Sequence, residues 1–448
     1  MDATAAAVGA ADGDSGPPSE LKRVISNNAL LLLVVGDVLG AGIYTLVGIV
    51  GGRMGGAIWM AFLAALVLAA FTAAAYAELV TKYPQAAGAA LYVNKAFGIP
   101  FLTFMVTFAV MASGLASAGT LARSFGGDYL SVFVDVPTVS VALGFLVIVA
   151  LINSRGIGES VKLNVGLTLI ELSGLLLVII IGGAYILDGG GDAGRALEIK
   201  DGEPALGAIM AGTGLAFYAL IGFEDSVNVA EEAKEPRAFP RALFGGLIIA
   251  GTLYLLVTII ASIAVPTKTL AGSSGPLQEV VQLGPLSVNP KIFSAIALFA
   301  LANGALINMV MASRLLYGMG RQGILPHAFT RVLPGRRTPW VAIVFTTLLA
   351  IVLVLTGDLG DLADMTVLLL LLVFSLVNVS VLVLRRDPVD HDHFVTPVVL
   401  PAIGAVVSIA VMFSKEGETF VRAGVLLLGG VALYVLNWLF MRARSTPA

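Results

Sequence analysis

Four carboxylates stand within apolar stretches of this 448-residue chain: Asp37, Glu171, Glu224 and Asp225. A charge inside hydrocarbon costs at least about 2.5 kcal/mol on insertion scales, so groups of this kind are usually functional or held by partners. Asp37 precedes Gly40-Ala41-Gly42-Ile43-Tyr44, where two glycines flank an alanine in the middle of an apolar, otherwise helical run. Each glycine weakens a helix by roughly 1 kcal/mol relative to alanine, and unpaired backbone in a bilayer costs several more. A break at this point therefore persists only where something binds the freed groups. A half-helix starting after Gly42 presents free N–H groups and the positive end of its dipole, which suits a carboxylate. The half ending near Asp37 offers carbonyls to a cation. A second interruption falls at Phe217-Tyr218-Ala219-Leu220-Ile221-Gly222-Phe223-Glu224-Asp225, whose carbonyls suit an ammonium group. Together the two breaks fit the zwitterionic head of an amino acid.

The elements that must carry these breaks follow from composition. With 58% hydrophobic and 12% charged residues and a mean hydropathy of +0.96, the chain excludes a soluble globule. Apolar runs of about 20 residues, the length that crosses the hydrocarbon core, predict twelve spans. They centre near Gly40, Val67, Val110, Phe145, Leu176, Leu220, Leu253, Asn303, Leu348, Val373, Val406 and Leu428. The prediction is an all-α integral membrane protein with no separate soluble domain, covering residues 21–445, its partner being the lipid bilayer. Residues 1–20 lack the charged and apolar regions of a signal peptide and read as a disordered tail. Breaks in spans one and six divide the chain into two five-span halves, about 26–188 and 205–385, followed by helices 11 and 12 at about 396–442. That pattern points to an inverted repeat with broken helices 1 and 6, as secondary transporters have. With the N-terminus inside, 18 of the 26 Lys and Arg residues fall on the cytoplasmic side, which predicts both termini in the cytoplasm. There is no cysteine, so disulfides, thiol ligands and cysteine nucleophiles are excluded.

Four patterns in order resemble the amino acid/polyamine/organocation transporter superfamily, over roughly Ser26 to Pro397. They are Gly40-Ala41-Gly42-Ile43-Tyr44; Tyr76-Ala77-Glu78-Leu79 with Tyr83-Pro84, Gly88 and Tyr92; Gly222-Phe223-Glu224-Asp225 with Ala230-Glu231-Glu232-Ala233-Lys234-Glu235-Pro236 and Pro240-Arg241; and Ser313-Arg314-Leu315-Leu316-Tyr317 with Gly323-Ile324-Leu325-Pro326. The resemblance implies a plasma-membrane permease that carries amino acids or related amines by alternating access. It implies a substrate carboxylate at Gly40, Ala41, Gly42 and Ile43, and an amine at the carbonyls of Phe217, Ala219 and Ile221, with Glu224 beside them. Many proton-coupled members carry lysine where this chain has Glu171, twelve residues after Glu159-Ser160. Three readings of Glu171 stay open: a carboxylate that loads and releases a proton, a sodium ligand together with Asn303 and carbonyls near Asp37, or a hydrogen-bonded structural group. Hydroxyl ligands for sodium are missing around Ala302-Asn303-Gly304, which favours the proton. Glu78, Arg155 and Arg314 lie at cytoplasmic helix ends, as a gating ion pair or as interfacial anchors.

His391-Asp392-His393 sits in a Pro-bounded linker without the further ligands of a closed metal site. No nucleotide-binding glycine loop or nucleophile elbow stands in a suitable context, so ATP-driven transport, enzymatic activity, a cofactor and nucleic-acid binding are not expected. A solute sensor that keeps the same fold without turnover is the alternative from another class.

Overall fold

The computed structural model describes residues 25–444 except 86–87, 156–160, 203, 285–287, 322–324, 334–335 and 337. The expected disordered tail at 1–20, Glu159-Ser160 and Gly323-Ile324 lie outside the described residues. The first apolar stretch folds as α1 (Asn27–Val38) and α2 (Gly42–Met54), bent by 41° at the expected break. There follow α3 (Ile58–Lys82), α4 (Gly88–Phe97), α5 (Pro100–Phe125), α6 (Asp128–Ser131), α7 (Thr138–Ser154) and α8 (Val161–Leu187). The second part opens with α9 (Ala205–Ala216), which passes into 3-10 turns at Phe217–Leu220 and Asp225–Glu232. It continues with α10 (Phe239–Ala264), α11 (Thr267–Gly272), α12 (Pro276–Val281), α13 (Pro290–Arg321), α14 (Trp340–Thr356), α15 (Leu359–Leu384), α16 (Val399–Phe413) and α17 (Gly417–Arg444). The one extended pairing among the described residues is a bridge between Ile25 and Ala233.

Eight stretches are long and apolar enough to cross a bilayer, and the bent pair α1–α2 makes a ninth. The three remaining predicted centres fall on the apolar helices α7, α14 and α16, which are 17, 17 and 15 residues long. They are short for a crossing of about 20 residues because Pro137, Pro339 and Pro397 stand at their N-terminal boundaries, where proline stops a helix from extending backwards. The chain is thus an all-helical, multi-pass membrane protein.

Helices pack in pairs across the two halves: α3 on α10, α5 on α13 and α7 on α14. The breaks meet at the centre of this arrangement. Gly222 has φ +130, a conformation open chiefly to glycine, and a methyl group there would run into the Asp37 carbonyl. Backbone carbonyls at and beside the first break accept side-chain hydroxyls inside the protein. The Val38 carbonyl accepts the Tyr254 hydroxyl from α10 at 2.6 Å, and the Ala41 carbonyl accepts the Thr45 hydroxyl at 3.2 Å. The Tyr129 hydroxyl donates to the Tyr44 carbonyl at 2.8 Å. At the N-terminal end of the bundle, the Lys234 N–H donates to the Ile25 carbonyl and Asn27 Nδ2 to Glu235 Oε2, both at 3.0 Å, so the outer ends of the two broken spans are tied together.

Gly222→Ala combines a strained backbone with a collision against Asp37, and we expect it to destabilise the fold by roughly 1–3 kcal/mol. Thermal unfolding of the purified protein measures this; an unchanged midpoint would show that the contact between the breaks is dispensable.

Candidate binding site at the paired helix breaks

Two of the predicted binding residues, Gly42 and Ala219, meet across the breaks. Gly42 opens α2 directly against the second break, where an added methyl group would lie 2.8 Å from Ala219 Cα and 3.1 Å from Tyr218 Cδ1. Ala41, Ile43, Phe217 and Ala219 are buried, while Gly40 and Ile221 are half-buried. Among the described residues, the N–H groups of Gly40 and Ala41 donate to no backbone carbonyl outside regular helix. They stand at the positive, N-terminal end of a 13-residue helix.

Glu224 turns back on its own break: its Oε2 accepts the Gly222 N–H at 2.8 Å, so this carboxylate satisfies backbone that the chain reversal frees. Asp225, its neighbour, is half-buried. A polar chain not singled out from the sequence crosses the site. The Tyr218 and Ser117 hydroxyls are 2.8 Å apart, and Asn308 Nδ2 donates to Ser117 Oγ at 3.1 Å, joining the second break to α5 and α13. The signal for it was an asparagine in the middle of a span, five residues after Asn303.

Glu171 and Asn303, grouped above as ligands of a sodium ion, meet directly instead: Asn303 Nδ2 donates to Glu171 Oε1 at 3.3 Å. Glu171 is buried, and its Oε2 has no hydrogen-bond partner among the described residues. The Tyr44 hydroxyl donates to the Glu171 backbone carbonyl at 2.5 Å, linking this residue to α2. Asp37 is half-buried at the end of α1, with its carbonyl against Gly222.

The expected grouping of Glu78 with Arg155 or Arg314 is not the one that Glu78 makes here. Its carboxylate is held bidentately by Arg385, with Nε to Oε1 at 3.0 Å and Nη2 to Oε2 at 2.8 Å, and also accepts the Thr396 N–H at 2.8 Å. Arg385 is the C-cap of α15, close to the end of α3 in space though 307 residues away in sequence, a proximity that spacing cannot reveal. Arg155 and Arg314 are exposed. In the 391–393 tract, His391 Nε2 lies 3.2 Å from the Thr81 carbonyl, and Asp392 pairs with Arg237 at 3.4 Å. At the opposite end of the bundle, Asp364 is buried between Lys415 and Arg53, each 2.6 Å away. In sequence Asp364 is the third acid after Asp358 and Asp361 at a helix start, so nothing local marks it as buried.

The amino acid permease family pattern matches residues 25–435. The chain belongs to this family. Among its relatives, a vacuolar cationic amino acid transporter of Arabidopsis thaliana is 30% identical over 391 residues, covering 83% of this chain and 65% of the relative, so this chain spans less than two thirds of that protein. A branched-chain amino acid permease of Lactococcus lactis subsp. cremoris is 28% identical over 447 residues, covering 92% and 94%. A methylthioribose transporter of Bacillus subtilis is 24% identical over 439 residues, covering 93% of each. These permease relatives are transporters, not enzymes.

Gly42→Ala is expected to push α2 away from Ala219 and lower ligand affinity by about tenfold or more, equal to about 1.4 kcal/mol. Thermal-shift titration with amino acids and amines reads the affinity; parent-like affinity would remove Gly42 from the site.

Proposed function

We propose that this permease is a secondary active transporter of amino acids or related amines, working by alternating access across the cell membrane with both termini in the cytoplasm. The observation that carries the reading is the abutment of two helix breaks, with Gly42 at the start of α2 against Ala219 in the turn at Phe217–Leu220. The carboxylate would lie on Gly40, Ala41, Gly42 and Ile43 and the ammonium on the carbonyls of Phe217, Ala219 and Ile221, with Asp37 and Asp225 favouring a zwitterionic or cationic solute over a dianion. Glu224 serves this seat by fixing Gly222. The named substrates of the relatives, which include cationic and branched-chain amino acids, agree with the class. The packing of α3 on α10, α5 on α13 and α7 on α14 supports twelve crossings arranged as an inverted five-plus-five repeat, in which the spans containing the breaks rock against the rest.

Glu171 is the coupling residue in this reading, with Asn303 as its orienting partner. A buried carboxylate oxygen without a donor is costly when charged, and a proton on Oε2 removes the charge at little change in shape. Sodium would require several oxygen ligands around the same atom. The Glu78–Arg385 pair forms the cytoplasmic gate, with Arg155 and Arg314 as anchors at the interface.

Reconstituted protein exchanging labelled amino acid in counterflow separates a transporter from a sensor, which binds without exchange. Glu171→Gln is expected to keep counterflow near the parent level and to lose uphill accumulation driven by a proton gradient. Retained proton-driven accumulation would take Glu171 out of the coupling role.

A further inference from the structure

The end of the bundle where α2 finishes and α15 begins holds a charge arrangement that the binding site does not use. Asp364 lies in the first turns of α15 with its side chain 3% exposed. Each of its oxygens carries one cation: Oδ2 meets Arg53 Nη2 from the last turn of α2, and Oδ1 meets Lys415 Nζ from the connector between α16 and α17, both at 2.6 Å. The two cations differ in setting. Arg53 is 26% exposed and reaches a second acid, Glu416, at 3.9 Å, whereas the Lys415 side chain is 2% exposed. Lys415 also stands against α9 at Gly214, where a methyl group would lie 2.5 Å from Nζ, while its ammonium donates to Asp364. Burial pulls the Lys415 pKa down and the Asp364 carboxylate opposes that pull, so the charged form depends on this partner.

We propose that Asp364 is a latch for the far end of the transporter in which Arg53 is the exchangeable cation and Lys415 the resident one. This rests on the alternating-access reading. When α2 swings outward, Arg53 leaves with it. Breaking a buried pair is severe chiefly because it strands the remaining charge without compensation. Lys415, held by the connector and not by α2, stays on Asp364 and keeps it neutralised, so opening does not leave a bare buried anion. One carboxylate with one cation would lock shut; one carboxylate with two can release one of them. Arg53 and Lys415 are thus positioning residues, and their removal has opposite effects on the same opening.

The absence of cysteine from the chain makes the test direct. Leu121 is buried on α5, one turn beyond Ser117 toward the latch, with Cδ1 2.9 Å from where a methyl group on Gly304 would stand. A Leu121→Cys reporter in oriented proteoliposomes is titrated with a membrane-impermeant maleimide from the latch side. In that background, Arg53→Met is expected to speed labelling and Lys415→Met to slow it about tenfold, because Asp364 then depends on Arg53 alone. Ligand-dependent thermal shifts of each variant report that it is folded. Equal signs for the two variants, or an unchanged rate in either, overturn the latch; if Lys415→Met does not fold, the Arg53→Met rate decides. A parent reporter that is labelled from neither face, with or without amino acid, sinks alternating access itself and is distinguishable from failure of the latch.

Discussion

Backbone that leaves a helix inside hydrocarbon must find its hydrogen bonds within the protein, and this constraint shapes the centre of the molecule. The permease meets it by setting its two broken spans against each other. Gly222 supplies a chain reversal tight against Asp37, Glu224 accepts the N–H that the reversal frees, and Tyr254 and Thr45 donate to carbonyls of the first break. The carboxylate seat proposed above uses the backbone donors around Gly40 and Ala41 that these bonds do not involve. The glycines have different duties. Gly222 is required by its dihedral angles as well as by the Asp37 carbonyl against it, whereas Gly42 is required by the proximity of Ala219.

The helix α15 extends this economy to both ends of the bundle. Its N-terminus carries a capping box between Asp358 and Asp361, and Asp364 follows one turn later; its C-cap is Arg385. Acids at the start and a base at the end both lie along the favourable direction of the helix dipole. Each is also a partner for another element, Asp364 for α2 and Arg385 for Glu78 on α3. One rigid element thus holds opposite ends of two helices in the first half of the chain. Lys82 Nζ donating to the Leu384 carbonyl at 2.6 Å adds a second tie at the Arg385 end.

Features encoded locally were legible from the sequence. Helical class, the positions of the apolar segments and both breaks follow from hydropathy and from glycines in apolar runs, signals that need no knowledge of neighbours. Glu171 and Asn303 stand out in the sequence as polar groups in apolar runs, but their direct hydrogen bond depends on how α8 packs on α13. Partners set by tertiary proximity were not legible. Glu78 and Arg385 are far apart in sequence, and nothing local marks Arg385 off from Arg386 beside it. Asp364 was hidden by its setting, because a buried acid at a helix start is indistinguishable in sequence from a solvated cap. The direction of Glu224 depends on the backbone path at Gly222, which is set by the packing of the second break on the first.

Tyr44 joins the coupling and binding readings in one physical link. Its hydroxyl reaches the Glu171 carbonyl, and Gly174 on the same face of α8 makes room for it, since a methyl group there would collide with that hydroxyl. The same residue belongs to the first turn of α2, whose N-terminus is the proposed carboxylate seat. A displacement of α2 must therefore stretch or break a bond to the residue proposed to carry the proton. Conversely, a change of charge on Glu171 alters the field at the start of α2, and a neutral Glu171 removes an anion that would repel the carboxylate of an arriving substrate. On this argument proton and amino acid favour each other's binding through a short path of named atoms, and reciprocity of the two affinities follows from linkage without a separate relay.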